Sequence, residues 1–519
     1  MKKVIRILAL VLVLTMLTAV LCACKDSKSE EVTGTTTQDE GGSTPEAVDG
    51  GSIVVGIAQE LDDSLDPHNT TAAGTREVLF NVYEGLLKPD TDGNLVPAVA
   101  SSYTVSDQSD VYTFTLRDGV RFHNGALVTA GDVVYSISRA AGLETGEPLI
   151  SGLAVVSSVE ATDDKTIVIT TSEPNAELPA YLTAAIIPEG NDPTKETIGT
   201  GPFKYVSRSA QENIIIERFD DYWGDKASLQ QVTFKIIENA DTLVLSLKSG
   251  AIDMAAHLTA AQAKELSDGF TVLEGTMNLV QALYLNNAIE PFNDVRVRQA
   301  LCYAVDKQTI MDFMADGRGT KIGSSIYPAF GRYFLPELAD YYTQDIEKAK
   351  SLLAEAGYPN GFSMTITVPS NYTPHVDTAQ VLVEQLAAIG VTATIDTVEW
   401  STWLSDVYSG RNFESTVIGF DASSLTASAL LARWRSDAHN NMIGFADDEY
   451  DAELDAALST ADLDEQTAHF QRCETILAEQ AANVYIQDMC DLVVMRNGLA
   501  GYEFYPLYAM DLSKVYLTK

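Results

Sequence analysis

The residue types that usually carry catalysis are scattered along this sequence and do not stand at catalytic spacings. The six histidines stand at positions 68, 123, 257, 375, 439 and 469. The chain has no HExxH metalloprotease motif, no GxSxG nucleophile turn and no GxxxxGK[ST] phosphate loop. Among 73 Asp and Glu residues, close carboxylate pairs arise by chance and do not indicate a glycosidase. We therefore expect no catalytic residues, no metal site and no cofactor.

The cysteines also predict neither a disulfide framework nor a metal site. Beyond the N-terminal segment only Cys302, Cys473 and Cys490 remain, an odd and sparse set that makes no disulfide framework. Since no CxxC motif or Cys/His cluster is present, structural zinc is not expected. The sequence leaves open whether Cys473 and Cys490 form a bridge.

The N-terminal segment has the features of a secretory signal peptide. A positive start (Lys2, Lys3, Arg6) precedes an apolar run at 7–21, which is shorter than the roughly 20 residues of a spanning helix and is typical of a signal peptide. The run ends in LCAC, which resembles the bacterial lipobox, and in lipoproteins of that kind the cysteine, here Cys24, becomes the lipidated first residue. We predict a lipoprotein signal peptide at 1–23 and a flexible, Thr/Ser/Gly-rich tether at 24–51. A plain signal peptide cut elsewhere is the alternative.

Length and charge limit the class of protein. At 519 residues, with 46% hydrophobic and 21% charged residues, the chain should form two or three soluble folded units. Its formal net charge of -39 repels phosphate backbones, so no nucleic-acid partner is expected. The acidic surface keeps a secreted protein soluble, and its field is also expected to disfavour anionic ligands.

The folded elements begin at residue 52 with a β-branched strand, SIVVGIA, and residues 94–170 are rich in alternating strands such as VYTFTL at 111–116. The second half alternates helices and strands. Asp294 and Asp345 stand at helix starts, and Gly357 and Gly390 stand at helix ends. Strands are predicted at 362–368 and 391–398, with a helix between them at 376–389. This alternation predicts a twisted sheet flanked by helices.

Longer motifs then follow in a fixed order. They are GNLVPAVA at 93–100, YTFTLRDGVRFHNG at 112–125, DVVYS at 132–136, IGTGPF at 198–203, DYWG at 221–224, LKSGAID at 247–253, PFNDVRVRQAL at 291–301 and GYPNG at 357–361. Together they resemble the family 5 extracellular solute-binding proteins, the oligopeptide, dipeptide and nickel binding class, and the likeness runs from about residue 52 to the C-terminus. Most of these residues are expected to form turns or ion pairs, such as Arg117 with Asp118 and Arg298 with Asp306.

The resemblance implies an α/β, bilobal, periplasmic-binding-protein-like fold (type II, the large cluster C form) with an extra β-rich subdomain in the first lobe. We predict a first lobe at 52–285 plus about 490–519, with its β-rich subdomain at about 75–197, and a second lobe at 286–489. The implied function is non-enzymatic: capture of an oligopeptide or peptide-like solute between the lobes and delivery to an ABC importer. The implied partners are the permease, contacted directly, its ATPase subunits, and the membrane through the lipid anchor. A monomer on the extracytoplasmic face of the bacterial cell membrane is expected.

Candidate ligand contacts are placed on loops after the second-lobe strands, where aromatic and polar side chains can line a cleft. They are Asn371, Tyr372, Trp400, Trp403, Phe420, Asp421, Ser423 and Ser424. Asp421 is expected to meet a cationic or free-amine group.

Two departures from the family pattern bear on the ligand. Peptide-binding relatives typically have an aspartate for the α-amino group several residues after an aromatic, where this chain has Ser423, Ser424 and Thr426. Dipeptide-type members tend to have an arginine for the ligand carboxylate in the loop at 370–375, where this chain has none. Longer peptides or an uncharged ligand fit better than dipeptides. A nickel or haem binder in the same fold, a secreted hydrolase and a surface adhesin are the alternatives, and the dispersed histidines disfavour nickel.

Overall fold

The computed structural model describes residues 47–58, 61, 62, 64–70, 72–266, 268–422, 424, 426–460 and 462–519. The predicted signal peptide, most of the predicted tether, Cys24 and Ser423 lie outside the described residues. In the described part of the chain, no helix is both long and apolar enough to cross a membrane.

The first lobe is built on a seven-stranded mixed sheet. In spatial order its strands are Phe270–Thr276, Cys490–Arg496, Met254–Ala255, Ser52–Ile57, Gln231–Ile236, Asn213–Arg218 and Phe203–Ser209. Ser52–Ile57 pairs in parallel with both of its neighbours, and the other pairs are antiparallel. The apolar residues of the predicted first strand, Ile53, Val55 and Ile57, lie in the core of this lobe.

The β-rich subdomain is a four-stranded antiparallel sheet. Its strands, in spatial order, are Ala100–Val105, Val111–Leu116, Thr166–Thr171 and Val156–Ala161. Tyr112 and Phe114 are fully buried against the helix Ala130–Ala141, as the period-two alternation predicts. Smaller sheets pair Leu87–Pro89 with Leu95–Pro97, and Tyr516–Thr518 with both Ala47–Val48 and Leu499–Ala500.

The second lobe is a six-stranded sheet with apolar cores on both faces. In spatial order its strands are Thr320–Lys321, Asn483–Asp488, Leu279–Leu285, Ser415–Asp421, Ser363–Pro369 and Thr392–Val398. All seven residues of Leu279–Leu285 are buried, because helices or loops cover the sheet on each side.

Helices cover both main sheets. The described α-helices are Ala73–Leu79, Ala130–Ala141, Leu178–Tyr181, Ala240–Ser249, Ala260–Lys264, Val295–Ala304, Lys307–Ala315, Ile346–Glu355, Thr373–Ala387, Trp400–Thr402, Ala427–Leu431, Asp448–Ser459 and Leu463–Glu479. A π-helical turn, Trp403–Ser409, follows Trp400–Thr402, and a 3₁₀ turn, Ala432–Trp434, follows Ala427–Leu431.

The predicted helix ends in the second lobe are confirmed. The Asp294 carboxylate accepts a hydrogen bond from the backbone N–H of Arg296, and the Asp345 carboxylate accepts one from that of Lys348. Beyond the C-termini of the helices Ile346–Glu355 and Thr373–Ala387, Gly357 and Gly390 adopt left-handed φ angles of 96° and 84°, which glycine adopts without strain.

The position of the first inter-lobe crossing differs from the predicted one. Leu279–Leu285 pairs with Ser415–Asp421 and with Asn483–Asp488, so it belongs to the second sheet. The chain therefore leaves the first lobe at Met277 and Asn278, and not after residue 285. It returns to the first sheet through Met489, between Asn483–Asp488 and Cys490–Arg496.

The two expected arginine ion pairs are wrong. The Arg117 guanidinium lies 4.2 Å from the centre of the Trp223 ring and donates to backbone carbonyls, while Asp118 pairs with Lys165. Arg298 donates to the carbonyl oxygens of Phe292, Gln480 and Ala481. Both side chains stabilise the fold through main-chain acceptors. The three cysteines, Cys302, Cys473 and Cys490, are free thiols, so Cys473 and Cys490 are not bridged.

Candidate ligand-binding site

A cavity of about 660 Å³ lies between the two lobes. The first lobe contributes the helix Ala73–Leu79 and the loop that follows it, together with residues around Tyr181 and Tyr508. The second lobe contributes the C-terminal end of Ser415–Asp421 and the turns around Tyr372 and Trp400. The volume of the cavity lies within the range of roughly 300–1,000 Å³ that is typical of sites for small organic molecules.

Aromatic side chains form the second-lobe wall of this cavity. The rings of Trp400 and Trp403 are stacked, with centroids 5.2 Å apart and planes 6° from parallel. The Tyr372 ring meets that of Trp400 edge-on at 5.3 Å. The indole N–H of Trp403 donates to Thr416 Oγ1 at 3.0 Å, which fixes its buried ring, whereas Trp400 is half-buried. The wall therefore offers flat apolar surface on a rigid base.

Phe420 extends this wall at the end of the strand Ser415–Asp421. Its ring contacts the Tyr284 ring edge-on at 4.9 Å. The guanidinium carbon of Arg433 lies over the same ring, 3.7 Å from its centre, which is a cation–π contact. Arg433 Nη2 also donates weakly to Tyr408 Oη at 3.4 Å.

An ion pair joins the two lobes at the edge of the cavity. Arg76 Nη2, on the helix Ala73–Leu79, lies 2.5 Å from Asp421 Oδ2, the last residue of Ser415–Asp421. The side chains are 27% and 13% exposed, so solvent screens this pair only in part. Asp421, which was expected to face a ligand amine, is thus already neutralised by a cation of the opposite lobe.

A second inter-lobe contact lies at the helix Ala427–Leu431. The Tyr181 hydroxyl is hydrogen-bonded to Ser428 Oγ at 2.6 Å and accepts from Thr426 Oγ1 at 3.1 Å. Burial raises the pKa of the nearby Glu177 to about 7, although contacts with Ser428 and Ala427 oppose the shift. Together with the Arg76–Asp421 pair, these contacts hold the lobes closed over the cavity.

The lobes are connected by two crossings that run side by side. The Met277 N–H donates to the Met489 carbonyl at 2.9 Å, so the outgoing and returning segments are themselves paired. Met277, Leu279 and Met489 form a small apolar cluster with Tyr508. Two short adjacent crossings of this kind form a hinge about which two lobes can rotate.

Two carboxylates, those of Asp488 and Asp491, are buried at this hinge, and a half-buried histidine lies beside them. Asp488 Oδ1 accepts from the Leu279 N–H at 3.1 Å, while Oδ2 has no hydrogen-bond partner in the described structure. Burial raises the pKa of Asp488 to about 8; contacts with the backbone of Leu279 and Asn278 lower it and the charge of Asp491 raises it further. The Asp488 carboxyl is thus held largely neutral.

His257 links the hinge to the helix Ala73–Leu79. Its Nδ1 lies 3.1 Å from Asp491 Oδ1 and its Nε2 lies 2.9 Å from Glu77 Oε1, while its ring stacks on Tyr508 at 4.7 Å. Burial alone would lower the pKa of His257, but the charges of Asp491 and Glu77 outweigh it and raise that pKa well above its usual value. The imidazolium therefore bridges two carboxylates beside the cavity.

This architecture matches a known family. The family model described as bacterial extracellular solute-binding proteins, family 5 (Middle), matches residues 94–442. The chain belongs to this family. The predicted family and the bilobal α/β fold are thereby confirmed.

Relatives and solved structures support the assignment along most of the chain. Glutathione-binding protein GsiB of Pectobacterium atrosepticum is 27% identical over 445 residues, covering 80% of this chain and 85% of the relative. Heme-binding protein A of Haemophilus influenzae is 27% identical over 534 residues, covering 95% and 96%. The ABC transporter-associated periplasmic binding protein DppA of Helicobacter pylori, in complex with the peptide STSA, has a TM-score of 0.80 at 26% identity, covering 91% and 99%.

Family 5 proteins bind peptides or related solutes outside the cytoplasm and serve ABC importers, in which a permease and an ATPase move the solute. The relatives are substrate-binding proteins and not enzymes. Across the described residues, no group of three or more His, Cys, Asp or Glu side chains is arranged to hold a metal ion.

Most of the predicted contact residues meet in this family 5 protein's cavity. Tyr372, Trp400, Trp403, Phe420, Asp421 and Ser424 all line it. Asn371 is not among the lining residues, although it immediately precedes Tyr372. That any of them touches a ligand stays a prediction.

Sequence reasoning missed the first-lobe half of the cavity and one second-lobe cation. Arg76 and Asp421 are 345 residues apart, and no local pattern connects them. Arg433 follows an apolar helical stretch, LLA, and precedes Trp434. A lone cation beside an aromatic in an otherwise apolar segment is the one signal that could have identified it.

The Asp421 interaction gives a prediction on lobe closure. Asp421→Asn or Arg76→Gln should increase the radius of gyration of the ligand-free protein in small-angle X-ray scattering, because each change removes a charge that holds the lobes together. The exchange Arg76→Asp with Asp421→Arg should restore the compact form. Arg496→Gln is the control, since Arg496 pairs at 2.6 Å with Asp253 inside the first lobe. Unchanged profiles for both single variants would show that this pair does not hold the cleft closed.

The Asp488 environment predicts a pH effect on stability. A carboxyl whose folded pKa is raised to about 8 from 3.8 stabilises the fold fully below about pH 4, and this contribution is lost as the pH rises toward 8. The free energy of unfolding should fall with pH more steeply in the wild type than in Asp488→Asn, by up to about 1.4 kcal/mol per pH unit. Urea titrations between pH 5 and 8.5 measure the two slopes. Parallel slopes would mean that Asp488 is ionised in the folded protein.

Proposed function

We propose that this family 5 protein is a lipid-anchored receptor on the outer face of the bacterial cell membrane. It captures a short peptide or peptide-like solute between its lobes and delivers it to the permease of an ABC importer. The observation that carries this proposal is the cavity of about 660 Å³, which both lobes line and which inter-lobe contacts close.

The make-up of the cavity supports a peptide-like solute. The stacked Trp400 and Trp403 rings offer flat apolar surface that accepts different side chains, while Arg433 and nearby hydroxyl groups offer hydrogen-bonding partners. A mixed lining of this kind suits a ligand with a regular polar backbone and variable apolar groups. The cavity volume of about 660 Å³ is a reason to prefer short peptides. The sequence of the loop at 370–375, by contrast, favours longer ones.

The names of the relatives agree with this class and leave the solute itself open. One relative is named for glutathione, a tripeptide-like thiol, another for heme, and DppA is seen with a tetrapeptide. The peptide class has support from two of these three. The binding experiment therefore also tests hemin, a haem-type solute.

The binding site can be tested with one aromatic substitution. Calorimetry with di-, tri- and tetrapeptide pools, glutathione and hemin should give one-to-one binding to a peptide-class solute that is recovered chemically unchanged. Trp400→Ala should weaken that binding by roughly 1 to 3 kcal/mol, because it removes a large half-buried contact surface. Phe313→Ala is the matched control, since this side chain is 62% exposed on the helix Lys307–Ala315 and does not line the cavity.

Three results would contradict the proposal. Binding of hemin alone would replace the peptide class with a haem-type solute. Accumulation of a cleaved product would replace the receptor with an enzyme. Equal losses in Trp400→Ala and Phe313→Ala would place the site elsewhere.

The lipid anchor is a separate part of the proposal and rests on the LCAC motif at 21–24. Cys24→Ser should move the protein from the membrane fraction to the soluble extracytoplasmic fraction, because acyl chains contribute about 0.8 kcal/mol for each buried methylene. Cys302→Ser, a change at a buried thiol, should leave the protein on the membrane. Immunoblots of the separated fractions measure both. Membrane retention of Cys24→Ser would exclude Cys24 as the anchor.

A further inference from the structure

The charges that line the cavity differ in balance from those of the whole chain. The chain has 34 basic against 73 acidic residues, yet the described lining residues include three Lys or Arg and only two Asp or Glu. The three bases are Arg76, Lys88 and Arg433, and the two acids are Glu84 and Asp421.

Both of the lining acids already have a cationic partner. Asp421 Oδ2 lies 2.5 Å from Arg76 Nη2, and Glu84 Oε1 lies 3.1 Å from Lys88 Nζ. Glu84 also accepts hydrogen bonds from Tyr222 and Trp223. Within the described lining, one positive charge therefore remains without a carboxylate, and it is Arg433.

The surroundings of Arg433 hold its guanidinium in place but do not neutralise it. The group lies 3.7 Å above the Phe420 ring centre and 5.3 Å from that of Trp434, and it donates weakly to Tyr408 Oη. Among the described residues, no Asp or Glu forms an ion pair with it. Stacking on an aromatic ring engages the face of a guanidinium, and the N–H groups in its plane form the fork that matches a carboxylate. At Arg433 the weak contact with Tyr408 Oη is the one side-chain acceptor seen among the described residues.

Closing the lobes over this cation has an electrostatic cost. Water that solvates the guanidinium is expelled from a closed cleft, and a charge without a partner is then strongly disfavoured. A ligand carboxylate would remove that cost. In the open form, exposed acidic groups further from the guanidinium than the Debye length, about 8 Å at physiological ionic strength, act on it only weakly.

We infer that Arg433 is the anion anchor of the cavity and that the preferred solute carries a carboxylate. This inference rests on the proposed function and names its substrate class. It opposes the expectation from the net charge of the chain that anionic ligands are disfavoured. It also means that an α-amino group is not required, since Asp421 is held by Arg76.

The test uses tripeptide libraries and native mass spectrometry of the full mature chain. The first library is made as free acids, the second as C-terminal amides, the third as N-acetylated free acids, and the fourth as amides with one Glu. Wild-type protein should retain free acids, with or without the acetyl group, roughly 10- to 100-fold better than plain amides, as expected for a charge-assisted contact. If the Glu-containing amides are retained, a side-chain carboxylate binds as well as a C-terminal one. If they are not retained, the protein recognises the C-terminal carboxylate.

The deciding variants are Arg433→Gln and Arg435→Gln. Arg433→Gln should lose the preference for free acids by the same roughly 10- to 100-fold factor, so that free acids and plain amides bind about equally. Arg435 lies two residues further on and forms exposed ion pairs with Asp437 and Asp455, so its variant should keep the preference. Far-ultraviolet circular dichroism confirms that each variant is folded.

Two outcomes would overturn the inference, and they differ from failure of the proposed function. If wild-type protein retains plain amides and free acids equally, the protein does not recognise a ligand carboxylate. If Arg433→Gln keeps the full preference for free acids, a group other than Arg433 binds the ligand carboxylate. Wild-type protein that retains no peptide from any library would overturn the peptide function itself, and the inference with it.

Discussion

The structure depends on the pairing of two short crossings, at Met277 and at Met489, between the two lobes. Each crossing continues a strand of one sheet directly into a strand of the other, and the Met277 N–H to Met489 carbonyl bond ties them together. Because both connections are only one or two residues long and adjacent, the lobes keep a rotation about this line and lose most other relative motions. The ion pair of Arg76 with Asp421 and the contacts of Tyr181 can then act as a clasp on the other side of the cavity.

Much of the fold could be predicted because local chemistry determined it. In the second lobe, aspartates at helix starts, glycines at left-handed positions and apolar periodicity agreed, and the structure has the helices there. The first crossing was misplaced because LVQALYL at 279–285 is buried on both faces and would suit either sheet. The partners of Arg117 and Arg298 were missed because an indole ring and main-chain carbonyls leave no signature in the sequence.

The cavity could be predicted only in part, and for a physical reason. Loops that follow strands of one sheet edge are ordered by the fold, so aromatic residues such as Tyr372 and Trp400 could be placed together in advance. Contacts between lobes depend on how two separate sheets face each other, which local patterns do not encode. Asp421 illustrates the difference: its position in the cavity was foreseen, whereas its partner, Arg76, came from the other lobe. The charge of a cleft is thus a property of paired surfaces and cannot be read from composition.

The placement of the strand Cys490–Arg496 constrains how the protein is made. This strand lies between Phe270–Thr276 and Met254–Ala255, inside the first sheet, and not at its edge. During synthesis, the two neighbouring strands emerge from the ribosome more than 200 residues before Cys490–Arg496 does. Until then they lack the strand that pairs with both of them. The first lobe therefore cannot reach its native state until almost the whole chain has been translated. A polypeptide built in this way stays incomplete until late, which suits a family whose members act outside the cytoplasm.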